Sequence, residues 1–174
     1  MLIDLSKFTN IPVGSFEAEE KVGKVLRPLL NPDEGRVIGF AVLTRELFPK
    51  LKVLSIQDVV DIDRNGLVIR SADSLVDSKE IVRIAEILKK KFDLIGLKTY
   101  FQSGEKLGRV SDAVIESQTG DITRLYVGSL FKNFAFEKSK IYEIAWTKVV
   151  VKDEKNQKSK VRPKIVPSEL PEPA

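Results

Sequence analysis

Three aspartates and an Asn-Gly pair form the one stretch of this sequence whose residue types and spacing resemble a metal site. Asp61, Asp63 and Asn65-Gly66 match the first half of a calcium-binding loop, in which side-chain oxygens at alternate positions bind the ion. The twelfth position of such a loop needs a bidentate glutamate, but here it is Ala72. An Asn-Gly pair between two apolar runs is instead typical of a hairpin turn. We therefore predict a turn and no metal site, and we rank a metal-dependent enzyme built on Asp58, Asp61 and Asp63 last among three functional hypotheses.

The composition removes most of the side chains that catalysis uses. The 174-residue chain contains no cysteine and no histidine, which removes disulfides, thiolate nucleophiles, Cys or His zinc sites and imidazole acid–base catalysis. The sequence also lacks a phosphate-binding loop and a dinucleotide-binding fingerprint. We therefore expect no enzyme activity, no catalytic residues and no cofactor.

The chain contains an internal repeat, and this repeat determines the predicted architecture. When the sequence is aligned with itself at an offset of 85 positions, without a gap, identical residues coincide along most of each copy. The identical pairs include Phe16 with Phe101, Gly23 with Gly108, Gly35 with Gly120, Val42 with Val127, and Ile56 with Ile141. Turn-forming residues separate strand-like runs in both copies, so each copy is predicted to be a meander of hairpins. Gly23 and Gly108 lie inside such runs, which predicts a bulge or a close backbone approach at both positions.

The repeated unit resembles the PRC-barrel domain family. The second copy contains a run that is similar to the family's signature, followed by a short strand and the turn at Gln118-Thr119-Gly120. That run is Gly104-Glu105-Lys106-Leu107-Gly108-Arg109-Val110. The first copy matches more loosely, because Pro28 interrupts its second strand and Glu19 replaces the turn glycine. The resemblance covers residues 10–70 and 94–152, and it implies two small β-barrels.

The resemblance implies a binding module without catalytic residues. PRC barrels form the cytoplasmic domain of the H subunit of the photosynthetic reaction centre and the C-terminal domain of a ribosome maturation factor, where they mediate protein contacts. Our leading hypothesis is therefore a non-catalytic scaffold or adaptor for a protein partner. In this hypothesis the two barrels pack as an intramolecular pseudo-dimer, and a homodimer is also open. The alternative is an RNA- or ribosome-associated factor.

Charge and hydropathy bear on the partner and on the location. The net charge is only +4, and acidic residues are interleaved with basic ones, which favours a mixed solvated surface over the basic patch of a nucleic-acid-binding protein. No apolar run is long enough to span a membrane, and the N-terminal residues do not have the pattern of a secretory signal. We therefore expect a cytoplasmic protein.

We predict a mainly β fold of two small PRC-type β-barrels joined by one connecting α-helix and followed by a disordered C-terminal tail. The predicted boundaries are 1–76 for the first barrel, 77–93 for the helix, 94–152 for the second barrel and 153–174 for the tail. Apolar residues from Ile81 to Phe92 recur at spacings of three and four, which indicates a helix of about three to four turns, and Asp77 with Glu80 resembles a capping box. The apolar alternation in residues 1–9 is expected to pack on the first barrel. The tail prediction rests on a polar, proline-rich composition.

Aromatic residues concentrate in the second copy and give the candidate partner-binding residues, which are Phe131, Phe134, Tyr142 and Trp146. Rings of this kind could stack on nucleic-acid bases if they were exposed beside the neighbouring lysines. They could equally fill a small barrel and its interface with the other copy, since aromatic side chains dominate small cores. The second interpretation is favoured, and any ring that is exposed marks the partner surface.

Overall fold

The computed structural model describes residues 1–62 and 65–153, and it confirms a mainly β fold with two sheets and one short α-helix between them. The first sheet contains β2 (Pro12–Ser15), β3 (Glu20–Asn31), β4 (Arg36–Thr44), β5 (Leu51–Ser55), β6 (Val59–Ile62) and β7 (Leu67–Ile69). The second sheet contains β1 (Leu2–Asp4), β8 (Lys98–Phe101), β9 (Lys106–Glu116), β10 (Ile122–Gly128), β11 (Asn133–Glu137), β12 (Ile141–Ile144) and β13 (Lys148–Val151). The predicted tail, residues 153–174, lies outside the described residues apart from Asp153.

The two sheets have the same strand order. The first runs β5-β4-β3-β2-β7-β6, and the second runs β11-β10-β9-β8-β13-β12. In each sheet the first strand of the copy pairs in parallel with the last, β2 with β7 and β8 with β13, while the other pairs along these two orders are antiparallel. The sequence repeat is therefore also a repeat of topology.

The predicted ungapped alignment is wrong beyond the third strand of each copy. Leu43 pairs with Leu51 in the first copy, whereas the equivalent Gly128 pairs with Asn133 in the second. The hairpin loop is thus three residues shorter in the second copy, and the offset falls from 85 to 82. Asp61 consequently corresponds to Glu143, since each pairs with the equivalent valine of the following strand.

The N-terminal segment joins the second sheet as well as the first. Strand β1 pairs antiparallel with β9, and Ile3 lies opposite Ile115. Phe8 instead packs on Phe40 of β4, with ring centroids 5.4 Å apart. The expectation that residues 1–9 pack on the first barrel therefore holds for Phe8 but not for β1. A strand this short has no stability of its own, so the long partner β9 determines where it lies.

The connecting helix is shorter than predicted. An α-helix, α1, spans Val82–Lys89, and a 3-10 turn at Ser78–Glu80 precedes it. The Asp77 backbone N–H donates to Glu80 Oε1 at 3.0 Å, so the predicted capping pair caps the 3-10 turn. At the other end Lys91 has a φ of 51°, and the Phe92 N–H donates to the Ile87 carbonyl, as in a Schellman motif. The apolar periodicity predicted a helix that is too long, because it included Phe92. Phe92 is buried, but it belongs to the C-terminal cap and not to a helical turn.

Two equivalent glycines allow the long strands to approach their partners. A Cβ on Gly23 would lie 2.7 Å from the Leu43 carbonyl oxygen, and one on Gly108 would lie 2.3 Å from that of Gly128. Both distances are shorter than a van der Waals contact, so any side chain would push the strands apart. The predicted close approach is therefore confirmed in both copies.

Candidate interaction surfaces

The two sheets meet through equivalent turns of the repeat. The Val37 N–H donates to the Gly120 carbonyl at 2.8 Å, and the Ile122 N–H donates to the Gly35 carbonyl at 3.5 Å. The two hydrogen bonds are equivalent, because at an offset of 85 Val37 corresponds to Ile122 and Gly35 to Gly120. Between them Arg36 and Asp121 form an isolated antiparallel bridge. The contact thus has the pairing pattern of a twofold dimer interface within one chain.

Glu116 fixes the second of these turns. Its Oε2 accepts hydrogen bonds from the backbone N–H groups of Gln118 and Thr119, each at 2.8 Å, and its Oε1 accepts one from the Met1 amine, also at 2.8 Å. Hydrogen bonds lower the pKa of the Glu116 carboxyl to about 2; the one from the Met1 amine has the largest effect, and the one from the Thr119 N–H has the next largest. The carboxylate therefore stays ionised at neutral pH and ties β1 to the turn at the junction.

Two clefts flank this junction, and they occupy equivalent places. The cleft of about 480 Å³ lies between the turn at 32–35 and strand β12. The cleft of about 510 Å³ lies between Ser117-Gln118 and strand β6. Strands β6 and β12 are the edge strands of their sheets, and their equivalent residues Val60 and Tyr142 are 61% and 60% exposed. Each cleft thus has an exposed apolar side chain beside it.

The candidate residue Trp146 lies in a packed contact. Its ring meets Phe92 edge-on at 5.3 Å, the Lys90 Nζ lies 3.8 Å from the ring centroid, and Arg83 lies at 5.6 Å. Arg83 also donates two hydrogen bonds to the Asn31 Oδ1, at 3.1 and 2.9 Å, and forms an ion pair with Asp33. Trp146, between β12 and β13, therefore contacts α1 from the second sheet, and Arg83 joins α1 to the first.

The other candidate residues do not form one cluster with Trp146. Phe134 is half-buried and stacks on Phe136, with centroids 6.2 Å apart. Tyr142 lines the cleft at β12, whereas Phe131 lies in the β10–β11 hairpin loop. The structure therefore places Phe131 and Tyr142 at the surface, in two different places.

Four of the five most exposed large apolar residues in the described part of the chain form a feature that the sequence analysis missed. The β4–β5 loop carries Leu47 and Phe48, here called the first tip, and the β10–β11 loop carries Leu130 and Phe131, the second tip. Their side chains are 91%, 78%, 93% and 91% exposed, respectively. A gapped alignment would have matched the two Leu-Phe pairs, since the offset of 85 places Leu47 opposite Lys132.

Backbone hydrogen bonds close both tip loops. The Thr44 N–H donates to the Lys50 carbonyl at 3.0 Å, and the Ser129 N–H donates to the Lys132 carbonyl at 2.8 Å. Turn positions normally carry Gly, Asn, Asp, Pro or Ser. Leucine and phenylalanine contribute nothing to turn formation, and exposing them to water is unfavourable. The same pair in both loops therefore serves neither turn formation nor the core.

An open groove of about 550 Å³ adjoins the second tip. Apart from Leu130 and Phe131, it is lined by Lys106, Leu107, Gly108, Arg109, Gly128 and Ser129. Lys106 and Arg109 are exposed. The Arg109 Nη1 donates to the Gly96 carbonyl at 2.7 Å, which fixes the position of the guanidinium group. The groove thus combines an apolar wall with two cationic side chains.

The calcium-like stretch forms part of the predicted hairpin. Strand β6 pairs antiparallel with β7, and the Asp61 Oδ1 accepts a hydrogen bond from the Ile62 N–H at 2.9 Å. Asp63 lies outside the described residues. Within residues 1–62 and 65–153, no group of three acidic side chains lies close enough to hold a metal ion.

In the part of the chain that the structure describes, α1 is the only α-helix, and no helix there is both long and apolar enough to cross a bilayer.

Comparison with known families assigns the second sheet. The model of the PRC-barrel domain family matches residues 89–168, so the chain contains a PRC-barrel domain. The first sheet lies outside the matched residues. No curated protein sequence matches the chain.

Proposed function

We propose that this protein is a non-catalytic adaptor in which two PRC-type barrels present a pair of docking tips to protein partners. The observation that carries the proposal is the same exposed Leu-Phe pair in the same hairpin loop of both copies. Exposed apolar groups of this kind are typical of protein-binding surfaces. The cytoplasmic location predicted from the sequence is part of the proposal.

The first sheet serves in this proposal as a second PRC-type barrel. Its strand order and its parallel pairing of first and last strands are those of the matched domain. Its glycine at the close strand approach is equivalent to that of the matched domain. The tandem arrangement is thus supported by topology rather than by sequence similarity to the family.

The two tips follow strands that leave the junction in opposite directions. Strands β4 and β10 both start at the junction, where Arg36 and Asp121 pair antiparallel, and each strand leads away from it to a tip. At about 3.3 Å per residue, each tip lies roughly 20–30 Å from the junction. Two partners could therefore bind at once without contacting each other, which is what an adaptor requires.

The aromatic residues favour a protein partner over RNA. A base-stacking platform needs several aromatic faces open to solvent side by side. Lys90 covers the face of Trp146 and Phe134 stacks on Phe136, while the two exposed rings, Phe131 and Tyr142, lie in different places. The RNA- or ribosome-associated alternative is therefore the less supported function.

The test is capture of binding proteins from source-cell lysate on four immobilised forms of the chain, with and without nuclease. The forms are the wild type, L47S/F48S, L130S/F131S and the control V82S, which removes an exposed apolar residue of α1. We expect the wild type and V82S to capture the same nuclease-resistant set of proteins. Each tip variant should fail to capture some of these proteins, and the missing proteins should differ between the two variants. Identical sets on all four forms would contradict the proposal, and ribosomal proteins that disappear with nuclease would favour the RNA alternative. The mass of the purified chain in solution tests the homodimer.

A further inference from the structure

We propose that the groove beside the second tip binds an acidic segment of a protein partner, in which carboxylates lie next to apolar side chains. The inference rests on the proposed function and specifies the partner chemistry at one tip. It starts from the lining of the site, because the exposed Leu130 and Phe131 border an open groove together with Lys106 and Arg109.

The charge of the groove selects the acidic segment. Lys106 and Arg109 line the groove, and Lys132 directly follows Phe131. Among the residues that the structure describes, no acidic one lines the groove. The nearest acids in sequence are Glu105 and Asp112, and the Asp112 carboxylate accepts hydrogen bonds from Ser6. Carboxylates are the side chains that complement such a surface, and Arg109 can offer them two parallel hydrogen bonds.

The first tip has a different balance and serves as an internal comparison. Its loop contains Glu46, whose carboxylate lies 3.4 Å from the Lys50 Nζ. The loop of the second tip, Ser129-Leu130-Phe131-Lys132, contains no acid. We therefore assign the stronger preference for acidic segments to the second tip.

An anionic membrane surface offers similar chemistry, but the geometry favours a protein segment. The two tips lead in opposite directions from the junction, so a flat bilayer could receive one tip only. Lipid binding is therefore an outcome of the test and not the proposal.

The test selects random twelve-residue peptides on the full chain and measures their affinity for variants. We expect the selected peptides to carry Asp or Glu next to Leu, Ile or Phe, and to bind L130S/F131S undetectably. Their dissociation constants should rise about fivefold to tenfold in K106E/R109E, because each exposed charge pair contributes a small factor. Peptides with Lys in place of Glu should recover affinity for K106E/R109E, which a merely structural effect of the substitutions would not produce.

The other outcomes separate this inference from the proposed function. Peptides that depend on Leu130 and Phe131 but carry no acid would overturn the inference and leave the adaptor function intact. A failure to enrich any peptide on the wild type relative to L130S/F131S would overturn both the inference and the role of the second tip. Binding to phosphatidylglycerol vesicles that is lost in L130S/F131S, without enrichment of acidic peptides, would replace the protein segment by a membrane.

Discussion

Arg36 and Asp121 occupy the same position of the repeat, and they pair with each other across the junction of the two sheets. The hydrogen bonds on either side, from Val37 to Gly120 and from Ile122 to Gly35, are likewise equivalent. A contact of this kind is what two separate copies would make around a twofold axis. The equivalent turns of the two copies are thus used for a contact within the chain.

The two junction glycines predict different costs for the same substitution. Gly120 has a φ of 76°, and an added Cβ would lie 2.2 Å from the Val37 carbonyl oxygen. Gly35 has a φ of 62°, but its added Cβ would meet nothing closer than 3.8 Å. Gly35→Ala should therefore cost only the left-handed backbone strain, about 1–2 kcal/mol. Gly120→Ala should cost about 2 kcal/mol more, since the junction must shift.

Urea unfolding of both variants measures this difference. Gly104→Ala is the control for backbone strain alone, because Gly104 has a φ of 91° and open space around it. Equal free energies of unfolding for Gly35→Ala and Gly120→Ala would show that the junction is not held as described.

A second prediction concerns the contact between α1 and the first sheet. The buried Asn31 Oδ1 accepts two hydrogen bonds from Arg83. Arg83→Ala should lower the free energy of unfolding by about 1–3 kcal/mol, because this acceptor loses both side-chain donors. In a double-mutant cycle, Arg83→Ala and Asn31→Ala should show an interaction energy of about 1 kcal/mol. Lys90→Ala, which removes a cation–π contact with Trp146, should cost less than about 1 kcal/mol.

Thermal or urea unfolding of the wild type, Arg83→Ala, Asn31→Ala and the double variant gives the interaction energy. Additive effects of the Arg83 and Asn31 substitutions would mean that the two side chains do not interact in solution. Arg83→Lys adds a useful comparison, since an ammonium cannot reproduce the pair of hydrogen bonds that the planar guanidinium donates to the Asn31 Oδ1.

A feature of the fold could be predicted when the residues that determine it lie close together in the sequence. Turns such as that at Gly120 lie in a few adjacent residues, so the hairpins and the two-sheet fold could be predicted. The pairing of β1 with β9 joins residues more than 100 positions apart, and the alternation of Leu2 and Ile3 identifies a strand without identifying its partner. The loop that ends before Asn133 is shorter than the equivalent loop that ends before Leu51, and an ungapped alignment cannot show this difference.

The candidate site was only partly predictable for a related reason. Aromatic content pointed to Phe131 and Trp146, but exposure depends on tertiary packing, which placed Trp146 under Lys90 and left Phe131 free of the core. Leu47 and Phe48 were overlooked, because the wrong offset hid their equivalence to Leu130 and Phe131.

The third prediction tests the assignment of β1 to the second sheet. Ile3 is 3% exposed and Leu2 is 56% exposed, although they are neighbours in the same strand. Ile3→Ala should lower the free energy of unfolding by about 2–4 kcal/mol, as for a buried core residue. Leu2→Ala should change it by less than about 0.5 kcal/mol.

Hydrogen exchange locates the effect of Ile3→Ala. Amides of β9 and β10 should lose protection first, because β1 pairs with β9. Greater loss of protection in β3 and β4 would contradict the pairing and assign the segment to the first sheet.

The last prediction is a pH dependence of stability that arises from Glu116. Hydrogen bonds from the Met1 amine and from two turn amides lower its pKa from 4.5 to about 2. A carboxyl with a depressed folded pKa stabilises the protein fully above its unfolded pKa, and this stabilisation is lost as the pH falls towards the folded value. Glu116→Gln, which keeps the shape and removes the charge, should therefore lower the free energy of unfolding at pH 7. With allowance for solvent screening, the loss should be about 1–2 kcal/mol.

The difference from the wild type should shrink below pH 4.5 and vanish near pH 2. Urea unfolding across this range measures it, with Glu17→Gln as an exposed control, and a difference that stays constant down to pH 2 would mean that the charge of Glu116 does not stabilise the turn.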